Sequence, residues 1–137
     1  MKVMVFVKAN ADSEAGKFPS EEVFREMAEY NEALVKAGIM LAGEGLHPSS
    51  KGKRVRFEGQ KRTVIDGPFS ETKELVAGFW IWQVRSMDEA VEWLRRAPFQ
   101  EGELELRPVF ENEDFGDALP PDVAAKEKAL AEQLARK

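Results

Sequence analysis

The sequence predicts an α+β fold in which two helices cover one face of a sheet, in the order strand, helix, strand, hairpin, strand, helix, strand. Three observations carry this reading. Segments 2–8 and 75–84 are apolar on both faces, as fully covered strands are. Two amphipathic stretches each start at a serine followed by acids, the pattern of a capped helix whose dipole is matched by negative charge. Two strand-like runs, 53–57 and 60–66, flank Glu58-Gly59, a sequence suited to a two-residue turn. Without the hairpin the order is βαββαβ, the ferredoxin-like split arrangement. A chain of 137 residues suits one domain with one core.

In the first strand, residues 2–8, Val3, Val5 and Val7 fall on one side and Met4 and Phe6 on the other. Residues 10–19 read as a polar loop holding Gly16 and Pro19. Ser20 is the expected N-cap of a helix over 21–37, where Val23, Met27, Tyr30, Leu34 and Ala37 make one apolar stripe and Gly38 supplies the C-terminal stop. Residues 39–46 form a second strand, loosened by Gly43 and Gly45 and ended by His47-Pro48-Ser49-Ser50. The Glu58-Gly59 turn sets Arg56 opposite Lys61, a like-charge pair that needs relief from solvent, an acid, an anion or a different register.

Asp66-Gly67-Pro68 is turn chemistry, and the run to Glu74 leads into the most apolar strand, 75–84. Ser86-Met87-Asp88-Glu89 reads as a capping box opening a short helix that buries Met87, Ala90, Val91 and Leu94 and closes before Pro98. Leu104 and Leu106 alternate with Glu103, Glu105 and Arg107 in a last strand over 103–110, with Pro108 at its end or edge. After Pro120-Pro121, a helix over about 122–136 aligns Val123, Leu130 and Leu134, thin cover for a sheet face. A second copy is the simpler cover, so the strands predict a homodimer with sheets packed face to face.

Of the residues, 43% are hydrophobic and 33% charged, and the net charge is −5. Residues 111–137 hold seven acids and four bases, so the tail carries −3 of that charge and the body is nearly neutral. Nothing in this balance points to nucleic acid or to an anionic membrane. The absence of cysteine excludes disulfides and thiolate chemistry. The first apolar run stops at Lys8, too short for a signal core or a membrane span, so a cytoplasmic location is the expectation.

His47 is the sole histidine and the natural proton-transfer group; Asp66, at the end of a later strand, could orient it by accepting a ring N–H. The alternative readings are a surface turn residue for His47 and a turn cap for Asp66. Glu71 and Lys73 stand close enough in sequence to support Asp66, or else belong to a solvated loop with Glu74. With one histidine and no His/Asp/Glu cluster of ligand spacing, neither a metal nor a cofactor is expected. Lys51, Lys53, Arg54, Arg56, Lys61 and Arg62 concentrate on the hairpin, where they either protect an edge or meet an anionic group; Phe57 is too little aromatic surface for nucleic-acid stacking. Arg107 calls for an acid partner or a substrate carboxylate. Trp80 and Trp82 on one strand face, and Phe79 on the other, belong to the core, to a dimer contact or to an apolar pocket wall.

Gly45-Leu46-His47-Pro48-Ser49, Arg54-Val55-Arg56, the run Asp66-Gly67-Pro68-Phe69-Ser70-Glu71-Thr72-Lys73-Glu74, Gly78-Phe79-Trp80 and Glu105-Leu106-Arg107-Pro108-Val109 resemble the YCII-related proteins, in the branch marked by Asp-Gly-Pro-Phe. The resemblance spans residues 1–110 and leaves 111–137 as an acidic tail. It implies a ferredoxin-like subunit forming a dimeric α/β barrel, and a His–Asp pair in a pocket that only His47 and Asp66 match. One relative of this kind is a dehydrochlorinase of a chlorinated hydroxyquinol, and the branch is associated with extracytoplasmic-function sigma factors. The expectation is therefore a small-molecule-binding protein acting without a cofactor, by elimination or isomerisation, on a small anionic or aromatic substrate held by Arg107, Arg54, Arg56, Glu71 and Lys73. The rival readings are a non-catalytic module that binds ligand or partners a sigma factor, and a purely structural dimer.

Overall fold

In the computed structural model, which describes residues 1–136, strands β1 (Lys2–Lys8), β2 (Met40–Gly45), β5 (Val76–Gln83) and β6 (Leu104–Pro108) form one antiparallel sheet in the order β2-β5-β1-β6. The hairpin strands β3 (Lys53–Glu58) and β4 (Lys61–Asp66) form a separate two-stranded sheet. The helices are α1 (Ala11–Glu14), α2 (Glu21–Lys36), α3 (Met87–Arg95) and α4 (Pro121–Ala135). With the hairpin set aside, the strand order is that of a split βαβ sheet.

The period-2 reading of β1 and β5 explains where the core lies. Val3 pairs with Trp82, Val5 with Trp80 and Val7 with Gly78, so these residues share the sheet face that α2 and α3 cover. Val3, Val5, Leu34 and Trp82 are fully buried there. Tyr30 of α2 meets Trp80 edge-on with ring centroids 5.8 Å apart, and its hydroxyl donates to the Trp93 carbonyl at 2.5 Å, tying α2 to α3. Trp80 Nε1 donates to Asn31 Oδ1 at 2.9 Å. The Trp80 ring needs the bare backbone of β2: a Cβ on Gly43 would lie 2.7 Å from Trp80 Cδ1.

The opposite sheet face carries Met4, Phe6, Phe79 and Ile81, all half-buried, with Glu105 beside Phe6 and Arg107 beside Met4. The tail leaves this face open: Val123, Leu130 and Leu134 of α4 are 38%, 44% and 70% exposed. A bulge between Met40 and Ala42 interrupts β2 on the edge of the sheet.

Three local expectations are corrected. Within residues 10–19, Asn10 caps the short helix α1, with Asn10 Oδ1 accepting from Ser13 N–H and Ser13 Oγ accepting from Asn10 N–H. The hairpin turn is Gly59-Gln60, one residue beyond Glu58-Gly59. Gly59 has φ +60°, and a turn of this length favours glycine at that first central position. Glu58 therefore pairs with Lys61 and Arg56 with Thr63, which removes the like-charge contact. At α3 the Ser86 Oγ cap to Glu89 N–H forms, but Glu89 reaches back to the Arg85 N–H and guanidinium instead of Ser86. That ion pair holds the Glu89 carboxyl below the usual carboxylate range.

Candidate functional site

The C-terminal ends of β1 and β2 and the N-terminal ends of β5 and β6 lie at one end of the sheet, and the signature run is anchored there. Its turn docks on the residues that follow β2. Gly67 N–H donates to the Gly52 carbonyl at 3.0 Å, and Phe69 N–H donates to Ser49 Oγ at 3.0 Å. Ser49 Oγ donates in turn to Glu14 Oε1, and Ser49 N–H donates to Glu14 Oε2 at 2.9 Å. These bonds hold the Glu14 carboxyl below its ordinary range, the Ser49 side-chain bond most of all and its backbone bond next. The relay Glu14–Ser49–Phe69 thus fastens α1, the 49–51 turn and the signature into one unit.

Each residue of the Asp-Gly-Pro-Phe stretch has a visible local contact or constraint. Asp66 accepts from Lys53 Nζ at 2.6 Å, across the hairpin where the two are register partners. Gly67 sits so close to the neighbouring turn that a Cβ would lie 1.8 Å from the Ser49 carbonyl oxygen. The Gly67-Pro68 peptide is cis. Phe69 lies under the Arg54 guanidinium, 3.8 Å from the ring centroid, a cation–π contact.

A cleft of about 830 Å³ opens at the same end of the sheet. It is lined by the apolar Val7, Ala77, Phe99 and Leu104 and by Glu74, Glu101, Glu103 and Glu105. Lys8, 3.3 Å from Glu105, is the base among the lining residues. Glu74 is the last residue of the signature run, so that run reaches the cleft. A smaller hollow of about 540 Å³ runs along α3, beside the Arg85–Glu89 pair and away from the signature.

The residues singled out from sequence are spread over this end of the molecule and beyond it. His47 is exposed in the turn after β2. Among the described residues no hydrogen bond joins it to Asp66, whose carboxylate is held by Lys53. Arg54 is engaged with Phe69, while Arg56 and Glu71 are exposed. Arg107 lies at the far end of β6 on the open sheet face, exposed rather than buried, with Glu105 3.9 Å away. The side chain of Lys73 lies outside the described residues. No metal-binding group of three His, Asp or Glu residues occurs among the described residues, and no described helix is long and apolar enough to cross a membrane.

The YCII-related domain model matches residues 1–113. The chain belongs to the YCII-related family. An uncharacterized protein of Rhizobium meliloti (strain 1021) is 30% identical over 110 residues, covering 78% of this chain and 89% of that one. Among solved structures, the chain is similar to the 5-chloro-2-hydroxyhydroquinone dehydrochlorinase of Burkholderia phenoliruptrix AC1100 in complex with 2,5-dihydroxybenzoquinone. That match has a TM-score of 0.47 and 17% identity, and covers 83% of this chain and 98% of the other. In this YCII-related chain the Asp66–Glu74 run fastens the hairpin to the turn that follows β2.

Sequence reasoning missed Glu14 and the cleft rim. Asn10-Ala11-Asp12-Ser13 was the available signal for the first, an asparagine cap followed by an acid. The cleft draws on residues 7–13, 74–77 and 99–105, which only the sheet order brings together.

Proposed function

We propose that this protein binds a small organic ligand in the cleft at the signature end of its sheet, and that two copies pack sheet against sheet. The observation that carries the ligand reading is the cleft itself: about 830 Å³, room for a small organic molecule with space to spare, lined by apolar side chains and four carboxylates, the last signature residue among them. Four glutamates against one lysine, itself paired, favour a neutral hydroxylated or a cationic aromatic ligand over an anion. Calorimetry with neutral, cationic and anionic single-ring compounds tests this. Glu74→Gln is expected to weaken the best ligand about tenfold, or ~1.4 kcal/mol. Affinity untouched by both Glu74→Gln and the cleft-filling Leu104→Trp would exclude the cleft.

Proton transfer by His47 and Asp66 is a second reading, supported by the docking of the turns next to both residues. It requires Asp66 to exchange Lys53 for the imidazole. With one histidine in the chain, the ring is followed by NMR without ambiguity. Asp66→Asn is expected to move the His47 ring resonances when ligand is bound; unmoved resonances would remove Asp66 as the orienting group.

A further inference from the structure

The hairpin and the tail are each incomplete as they stand. Strands β3 and β4 pair only with each other, and a lone two-stranded ribbon is marginal in water. Val55, its partner Val64 and Phe57 share one face and are 49%, 60% and 69% exposed, with Arg62 stacked on Phe57 at 4.6 Å. No element packs extensively on α4, whose length is also marginal for a helix alone. Its stripe reads Val123, Glu127, Leu130, Leu134 at spacings of four, three and four, so that one acid interrupts an apolar row. The hairpin face sets Arg62 beside Val55, Phe57 and Val64, with the paired Lys53 and Asp66 at its base.

Charge matches at the larger scale. Residues 51–66 hold six bases and two acids, whereas residues 111–137 hold seven acids and four bases. Of the six bases only Lys53 is in an ion pair, and the tail acids make none, among the described residues.

Within one copy both faces stay exposed, so the match is left to a second copy. The hairpin follows β2, on one edge, from the end of the sheet where Gly45 pairs with Gly78. The tail follows β6, on the other edge, from the end where Pro108 pairs with Val3. The two roots stand at diagonal corners, separated by three strand spacings and about five residues of strand, on the order of 20 Å. A two-fold axis repeats every contact, so a second copy can offer its tail to this hairpin and receive this tail on its own.

We propose that the hairpin of one copy clasps α4 of a second copy, Val55, Phe57 and Val64 against Val123, Leu130 and Leu134, with Arg62 facing Glu127. The clasp needs a second copy but does not depend on the sheet-to-sheet contact proposed above. Sedimentation equilibrium of the full chain separates the two. Phe57→Ser on the hairpin and Leu130→Ser on the tail are each expected to raise the dimer Kd at least tenfold. The double variant should be no weaker than the weaker single, because both remove one contact. Arg62→Glu and Glu127→Arg should each weaken the dimer, and together restore it. Salt at about 0.5 M should weaken the wild type by screening the pairs. A Kd unmoved by Phe57→Ser and Leu130→Ser, fully additive effects, or a single-chain mass for the wild type would overturn the clasp. If Phe79→Glu on the sheet alone weakens the dimer, the clasp fails while the sheet contact stands.

Discussion

Tyr30 is the one tyrosine in the chain and is buried between α2, α3 and Trp80. Burial pushes its phenol up to about 12, with Arg96 pulling slightly the other way. The folded state therefore holds the neutral phenol more tightly than the unfolded chain does. Its contribution is complete below the ordinary tyrosine value near 10 and is lost as pH rises toward 12. Absorbance at about 295 nm should show a single phenolate transition in that upper window, coincident with loss of structure; ionisation at the ordinary value in folded protein would contradict the packing. Such burial was legible as a helical stripe through Met27, Tyr30 and Leu34. The hydroxyl's partner was not, because a backbone carbonyl 63 residues away leaves no mark on local periodicity.

At the scale of elements, the signature is a docking device. Gly67 is required by proximity, since its φ is ordinary and it is the Ser49 carbonyl that leaves no room for a side chain. Gly67→Ala is expected to destabilise the fold by about 3 kcal/mol, the upper end of overpacking costs, because backbone rather than a flexible side chain must move. Urea unfolding measures it, and a loss below about 1 kcal/mol would show the two turns free to separate. Strands and main helices were readable to within two residues because their apolar periods are strong and their serine caps are present: Ser20 and Ser86 both accept the bond expected of them. The hairpin slipped by one residue because Glu58-Gly59 and Gly59-Gln60 both place glycine in the turn, and only the positive φ of Gly59 at its first central position distinguishes them. The cleft was invisible because its walls come from three distant segments.

For the whole molecule, the open sheet face is the outstanding quantity. Met4, Phe6, Phe79 and Ile81 form a half-buried apolar band on the face away from α2 and α3. Two-sided apolarity in segments 2–8 and 75–84 was the sequence sign of this band. A charge in the band should weaken the pairing of two copies without unfolding either: Phe79→Glu is expected to shift the light-scattering mass toward that of a single chain at micromolar concentration with the helical signal intact. A doubled mass in that variant would move the dimer contact elsewhere.

The bulged outer border of β2 bears on how the protein behaves when crowded. Between Met40 and Ala42 the ladder loses step, and the strand is only six residues long with two glycines. An incoming strand would meet a short and uneven row of free N–H and C=O groups, a poor template for adding further strands. On the other border, β6 ends in a proline, which donates nothing. Growth into ribbons is thus frustrated at both margins of the sheet.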